Sequence, residues 1–185
     1  MNKHNLSIEP FDVLPLSPAL VADLRSDHAG EAGAVQIYRG MLAVSRDPEV
    51  RQFALAHIRT ELRHLRFFDR WLPQRHHSRL LPVWRAAGWL LGAGSALFGR
   101  RAAFHTVAAV ETFVERHYLE QIEVMSGVPE LANLSAALQR FCNEEVYHRN
   151  DASHRVAETN GIAVRAWAHL VGLGSILGVR IARKV

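Results

Sequence analysis

The sequence has few cysteines, which stabilise small secreted proteins as disulfides, and no apolar run long enough to cross a membrane. Its single cysteine, Cys142, excludes an internal disulfide and favours a reducing compartment. No apolar run reaches the roughly 18 residues that a membrane-spanning helix needs. The start, with Pro10, Pro15 and Pro18, lacks the apolar core of a signal peptide and the pattern of a transit peptide. We therefore expect residues 1–17 to form an irregular leader.

Alternating β-branched and polar residues, the pattern typical of strands, are also missing. Leucine, alanine, arginine and glutamate dominate a chain of 185 residues that is 49% hydrophobic and 22% charged, a composition suited to one globular domain. The sequence thus predicts an all-α domain over residues 18–185. Helices are predicted at 18–46, 49–71, 83–98, 101–126, 130–159 and 162–182.

Two features of the chain recur at nearly the same spacing. The segment LLGAGSALFGRR at 90–101 is similar to LVGLGSILGVRI at 170–181, and a tryptophan, Trp84 or Trp167, precedes each segment. Such repetition predicts two related halves, each a long helical hairpin followed by an apolar helix.

The second recurring feature is the spacing Glu-x-x-His. It occurs at Glu61 and His64, and again 84 residues later at Glu145 and His148. Side chains three positions apart share one face of a helix, so both members of each pair can point into the core together. One such pair is common by chance, but two related pairs predict a shared site.

The hairpin geometry predicts a partner carboxylate for each pair. Each Glu-x-x-His lies roughly 20–25 Å along a helix from the predicted turn, at about 1.5 Å per residue, so its partner should lie equally far before the turn. Glu31 precedes the turn at 47–48 by about 16 residues, and Glu111 precedes the turn at 127–129 by about 16. They are 80 residues apart, which matches the repeat.

Four carboxylates and two imidazoles are the donors of a dinuclear metal site in a four-helix bundle. Hard carboxylates favour iron, while manganese and zinc stay open on composition alone. The other carboxylates lack this symmetry and are expected on surface faces: Glu115, Glu120, Glu123, Glu144 and Glu158. The remaining histidines considered are expected in packing, caps or solvent: His57, His76, His77, His105, His154 and His169.

Several motifs together resemble one known family. DHAGEAGAVQIYRG, TELRHLRFFD, LGAGSALFG, VAAVETFVERHYLEQI and FCNEEVYHRND are similar to segments of the demethoxyubiquinone hydroxylases, di-iron monooxygenases of ubiquinone biosynthesis. The resemblance extends from about residue 20 to the end. It implies a ferritin-like four-helix bundle with two additional apolar helices. It also implies two Fe ions held by Glu31, Glu61, His64, Glu111, Glu145 and His148.

The resemblance further implies a reaction. One oxygen atom from O2, the co-substrate, enters the ring of a polyprenylated demethoxyubiquinone, with an external electron donor such as NADH or a separate reductase. His117 and Tyr118 match a family pair beside the metals and are expected to pass electrons or protons, the alternative being a surface pair. Tyr147 departs from the family pattern, where glutamate is frequent, but it is not a ligand.

The two apolar runs, 86–98 and 166–179, are too short to cross a bilayer. They suit core helices or an interfacial surface that receives a lipid substrate. The formal net charge of +4, and basic residues near the ends of these runs, favour a peripheral position on anionic lipid. We expect the cytoplasmic face of the bacterial inner membrane, or the mitochondrial inner membrane in a eukaryote. The basic residues are Arg100, Arg101, Arg180, Arg183 and Lys184.

Expected partners are the quinone substrate, the membrane surface, and either an accessory lipid-binding protein of ubiquinone biosynthesis or a second copy of the chain. No nucleic-acid-binding motif is present, so nucleic acid is not expected. Two other functions stay open. The same six donors would serve a ferritin-like di-iron oxidase or peroxide scavenger, and a metal-free helical scaffold at a membrane would need none of them.

Overall fold

The computed structural model describes residues 8–156 and 162–185, with side chains from Ala166 onward in the second segment. Within these ranges the chain is all-helical and has no strands, which confirms the predicted fold class. A 3-10 turn at 11–13 precedes the first helix, and two others, at 74–76 and 129–131, lie between longer helices. The six helices are α1 Pro18–Val44, α2 Pro48–Trp71, α3 Leu81–Leu97, α4 Arg100–Met125, α5 Ala132–His154 and α6 Ile162–Ala182.

The first hairpin is defined by local capping. The Ser17 hydroxyl accepts a hydrogen bond from the backbone N–H of Leu20 and caps α1. Asp47 caps α2 by accepting from the N–H of Glu49 at 2.9 Å, and proline follows both caps at the first helical position. The three residues between α1 and α2 therefore reverse the chain where the sequence predicts a turn.

The end of α5 differs from the prediction. This helix begins after the 3-10 turn at Pro129–Leu131 and ends at His154, whereas helix was predicted over 130–159. Residues 157–161, which include Glu158, lie outside the described residues. In the predicted leader, Phe11 and Leu14 are buried against α1, α2 and α5. The division of the chain at residue 17 stays a prediction.

Helices α1, α2, α4 and α5 form the bundle, in two hairpins. Helix α3 packs mainly on α1, and α6 packs on α4 and α1, so each half of the chain repeats the order hairpin then apolar helix. Both added helices also leave large apolar side chains exposed, such as Leu90 and Leu173. Among the helices that the structure describes, none combines the length and apolarity that crossing a bilayer requires.

The two added helices pack differently. Helix α3 approaches α1 backbone to backbone, because Gly88 lies against the main chain of Gly33 and Gly92 lies against the carbonyl of Ile37. A methyl group at either position would overlap those atoms. In α6, a methyl group at Gly172 or Gly174 would meet nothing within 4 Å. The two halves therefore share a topology, but the added helix packs more closely on the bundle in the first half than in the second.

Candidate metal centre

The predicted donors meet in the middle of the bundle. Each of the six is at most 4% exposed, and the four long helices supply them from opposite sides. Helix α1 brings Glu31 and α4 brings Glu111, one carboxylate each, while α2 and α5 each bring a Glu-x-x-His pair. This is the donor distribution of a dinuclear carboxylate site in a four-helix bundle.

Their ligand atoms fall into two overlapping groups. One consists of Glu31, Glu61, His64 and Glu145, and the other of Glu61, Glu111, Glu145 and His148. Within each group the ligand atoms lie within 4.8 Å of one another. Glu61 and Glu145 belong to both groups, so each carboxylate could serve either of two ions.

The hydrogen-bond geometry among these side chains is poor, as expected for donors that bind a metal pair. His148 Nδ1 lies 2.9 Å from Glu61 Oε1 and 2.9 Å from Glu145 Oε2, yet it has no hydrogen-bond partner of acceptable geometry among the described residues. Buried polar atoms without a partner are rare and call for a ligand. The same holds for Glu31 Oε2, Glu61 Oε1, His64 Nδ1 and both carboxylate oxygens of Glu145.

Burial and crowding strongly perturb these groups. Desolvation raises the pKa of Glu31 to about 8, although the charge of His64 opposes the shift. Desolvation, with the neighbouring Glu145 and Glu61, also raises the pKa of Glu111 well above its ordinary value. Burial alone would lower the pKa of His148, but Glu145 and Glu61 raise it to about 11. The cluster without cations therefore holds protons that bound metal would displace.

Glu145 differs from the other carboxylates. Burial alone would raise its pKa, but contacts with His148 and His64 lower it to about 2. His64 Nδ1 lies 2.8 Å from Glu145 Oε1. The pKa of Glu145 is thus shifted in the opposite direction to the pKa values of Glu31 and Glu111.

Side chains outside the donor cluster contact the histidines on the side of the ring that faces away from the cluster. His64 Nε2 lies 2.5 Å from Oε2 of Glu144, which also binds Arg63 at 3.1 Å. The sequence predicted a surface position for Glu144. Its side chain is 42% exposed, but it reaches the back of His64, so that prediction missed a contact with the site.

His57 forms a second outer contact. It is buried, as a packing residue would be, and its ring lies 4.3 Å from the ring of His148 between centroids. Its Nε2 lies 2.7 Å from Asp151 Oδ2. Burial and the neighbouring His148 lower the pKa of His57, which favours the neutral imidazole. A neutral ring beside His148 adds no positive charge to the cluster.

A cavity of about 420 Å³ adjoins the cluster between α1, α3, α4 and α6. Glu31, Glu61, Glu111 and Glu145 line its inner end. Most of the remaining wall is apolar, and about half of it comes from α3 and α6, the helices that the sequence predicts to receive a lipid. Its apolar lining includes Ile37, Trp84, Leu91, Val110, Leu170 and Val179.

His117 and Tyr118 both belong to this region. The Tyr118 hydroxyl donates a 2.6 Å hydrogen bond to Glu31 Oε1, and the residue is 2% exposed. The His117 side chain is 12% exposed and lines the cavity. Tyr118 is buried against Glu31 and His117 lines the cavity, so the alternative of a surface pair is wrong, while their role in passing electrons or protons stays a prediction.

Sequence reasoning missed two residues next to His117. Asp27 is 5% exposed and lines the cavity, and Gln121 is 2% exposed and donates to it. Asp27 lies one helical turn before Glu31, and Gln121 lies one turn after His117. That spacing from a candidate residue was the available signal.

Four helices around overlapping carboxylate and imidazole groups define a bundle of the di-metal carboxylate class. The family model described as Ubiquinone biosynthesis protein COQ7 matches residues 19–182. The chain belongs to this family, that of the demethoxyubiquinone hydroxylases, which confirms the resemblance seen in the sequence.

Several curated relatives are similar over most of the chain. It is 40% identical over 139 residues to the 3-demethoxyubiquinol 3-hydroxylase of Rhodospirillum rubrum, covering 72% of this chain and 65% of that protein. It is 33% identical over 170 residues to the mitochondrial NADPH-dependent 3-demethoxyubiquinone 3-hydroxylase of Caenorhabditis elegans, covering 88% of each. The chain thus spans just under two thirds of the bacterial relative and most of the nematode one.

Proposed function

We propose that this chain is a di-iron, O2-dependent monooxygenase that hydroxylates the ring of a polyprenylated demethoxyubiquinone intermediate. One observation carries the proposal: the four carboxylates of the two overlapping donor groups line an otherwise mostly apolar cavity. A redox-active metal pair and a lipid-soluble ring would meet there. The names of the relatives support the same reaction.

In this proposal the six clustered donors would hold two Fe ions, and Glu61 and Glu145 are the two donors that belong to both groups. The bound iron pair supplies the activation of O2 that organic side chains cannot provide. One oxygen atom replaces a ring hydrogen as a hydroxyl group, and the other leaves as water with two electrons and two protons from outside. Because several relatives are named NADPH-dependent, we infer a reduced nicotinamide, NADH or NADPH, as the electron source.

The chain's own residues would bind the ring and manage protons. The apolar wall excludes water from the reacting ring and orients it toward Glu31 and Glu111. The hydroxyl of Tyr118, bound to Glu31 at 2.6 Å, holds a proton next to the cluster, and His117 lies beside it along α4. We infer that this pair moves protons or electrons between the cavity and the metal ligands.

The isoprenoid tail requires an exit toward lipid. Leu90 on α3 is 64% exposed and Leu173 on α6 is 50% exposed, on the two helices that form the cavity wall. We infer that this apolar face docks on the surface of the inner membrane, peripherally, at the cytoplasmic face in bacteria. Arg101, Arg180 and Lys184 are exposed and suit anionic headgroups, whereas Arg100 and Arg183 form ion pairs within the chain.

The same face fits a further partner. An accessory lipid-binding protein, or a second copy of the chain, would cover the exposed leucines when the protein is away from the bilayer. The other two functions have less support. An oxidase or peroxide scavenger has no need of an apolar cavity of about 420 Å³, and a metal-free scaffold has no need of buried, unpartnered donors.

Quinone analysis in a strain that lacks the protein tests the proposal. We expect the demethoxy intermediate to accumulate, and the wild-type chain to restore ubiquinone. Glu145→Ala should not restore it, whereas the exposed control Glu120→Ala should. Purified wild type should hold two iron ions per chain, and Glu111→Ala should lose hydroxylation. Full activity in Glu111→Ala would refute the ligand assignment.

A further inference from the structure

The cavity has one polar patch apart from the carboxylate cluster. Ser26, Asp27 and His117 line it together, and Gln121 lies directly behind Asp27. Asp27 is 5% exposed and Gln121 is 2% exposed, so water does not solvate them freely. The proposed reaction gives His117 a role but leaves Ser26, Asp27 and Gln121 without one.

Most polar atoms of the patch already have hydrogen-bond partners within the protein. The Ser26 hydroxyl donates to the carbonyl of Asp23 at 2.7 Å, so its oxygen accepts from His117 Nε2 at 3.0 Å. That nitrogen therefore carries a hydrogen, and it also lies 3.2 Å from Asp27 Oδ1. Gln121 Nε2 donates to the same Oδ1 at 2.9 Å.

The second carboxylate oxygen of Asp27 has no such partner. Asp27 Oδ2 is buried and has no hydrogen-bond partner among the described residues. Gln121 donates to Oδ1, and the one hydrogen on His117 Nε2 is shared between Ser26 and the same Oδ1, whereas Oδ2 is an acceptor without a donor. A buried acceptor of this kind is unfavourable unless a ligand supplies a hydrogen.

We propose that Asp27 binds the hydroxyl group of the substrate ring, and thereby selects the hydroquinone over the quinone. This inference rests on the proposed function and names the redox form of its substrate. A hydroquinone carries two O–H donors. A quinone carries only carbonyl acceptors, and its oxygen would face the carboxylate without a hydrogen between them.

The position of Asp27 suits this role. It lies four residues before Glu31 on α1, about 6 Å along the helix axis and on the same face. A ring whose hydroxyl binds Asp27 therefore lies within reach of the inner end of the cavity. The rest of the wall near α3 and α6 is apolar and offers the ring few competing acceptors.

Neighbouring charges keep the patch compatible with a buried carboxylate. Burial alone would lower the pKa of His117, but its hydrogen bond with Asp27 and the charges of Asp27, Asp23 and Glu120 raise it. Arg183 pairs with Asp23 at 3.0 Å, so this neighbouring carboxylate adds no unpaired negative charge to the patch.

Ligand binding by the full chain tests the inference. The protein is loaded with Zn²⁺, which has no redox chemistry, so that neither ring form is converted. The probes are a short-tailed demethoxyquinone and its hydroquinone, titrated without oxygen. Quenching of Trp84 and Trp167, which line the cavity, reports binding. We expect the wild type to bind the hydroquinone about tenfold to a hundredfold more tightly, as for a hydrogen bond to a charged group.

Asp27→Asn makes the test specific. In this variant the amide oxygen takes the place of Oδ1 and accepts from Gln121 and His117. The NH2 group then takes the place of Oδ2 and can donate to a quinone carbonyl. We expect the preference to shift toward the quinone. Glu123→Gln, on an exposed face of α4 and outside the cavity lining, should keep the wild-type preference.

The outcomes separate this inference from the proposed function. Equal affinity of the wild type for both ring forms, or a preference retained in Asp27→Asn, overturns the role of Asp27 alone. Failure of the wild type to bind either form overturns the proposed function as well. The comparison of ring forms in the wild type requires no variant, so a poorly folded Asp27→Asn would leave the test intact.

Discussion

Glu144 Oε2 lies 2.5 Å from Nε2 of His64, on the side of the imidazole opposite the carboxylate cluster. The Nδ1 atom of the same ring faces Glu145 Oε1 at 2.8 Å. Glu144 thus determines both the orientation of the ring and the nitrogen that carries a hydrogen. Contacts of this kind tune the affinity of metal ligands from outside the coordination shell.

Replacing Glu144 should therefore weaken metal binding without removing a ligand. We expect Glu144→Ala to lower the affinity for Fe²⁺ about tenfold to a hundredfold, because His64 loses its outer acceptor. Competition with a chromophoric chelator under argon measures the change. Glu120→Ala, on an exposed face of α4, is the matched control and should bind like the wild type. Unchanged affinity in Glu144→Ala would contradict an outer-shell role.

Metal affinity should rise with pH. The pKa of Glu31 is raised to about 8 and that of His148 to about 11, so at neutral pH both groups are protonated before metal binds. Binding must displace these protons, and raising the pH removes their competition. We expect roughly a tenfold gain in affinity per pH unit for each proton released, from Glu31 and His148 between pH 6 and 8 and from His148 alone between pH 8 and 9. Calorimetry in buffers of different ionisation enthalpy counts the protons, and binding without proton release would refute the prediction.

Two glycines of α3 lie so close to the backbone of α1 that a side chain at either position should be destabilising. We expect Gly92→Ala and Gly88→Ala each to lower the free energy of unfolding by about 1–3 kcal/mol or more, because the added methyl group meets backbone atoms. Gly94→Ala, with nothing within 4 Å, should instead stabilise the helix by about 0.5–1 kcal/mol. Denaturant unfolding of the three variants measures the difference. Equal stability of Gly92→Ala and Gly94→Ala would argue against this close packing.

Membrane association should depend on the exposed face of α3. Leu90 is 64% exposed and Phe98 is 84% exposed. Burial of one such side chain stabilises by about 1.5–3 kcal/mol, so Leu90→Gln with Phe98→Gln should weaken binding to anionic vesicles at least about tenfold. Flotation with vesicles of phosphatidylglycerol measures it. Leu55→Gln on α2, 51% exposed, is the control, and an equal loss there would reject the proposed face.

The helices and the candidate donors could be predicted because both depend on local or repeated patterns. The Glu-x-x-His spacing places two side chains on one face of any helix, and the internal repeat located Glu31 and Glu111. The turn at 45–47 is defined by a cap and a proline, which are local signals. The end of α5 at His154 was less predictable, because apolar periodicity alone does not locate where a helix ends.

The sequence by itself determined the all-helical class, the two related halves and the donor types that suit a metal pair. Only the tertiary structure decided which neighbours complete the site. Glu144 reaches His64 from another helix, and Gln121 on α4 holds Asp27 on α1. It also decided that α3 lies against the backbone of α1 while the glycines of α6 stay open. These contacts join residues that are far apart in the chain, so no local periodicity encodes them; they depend on how the packed helices are rotated and spaced.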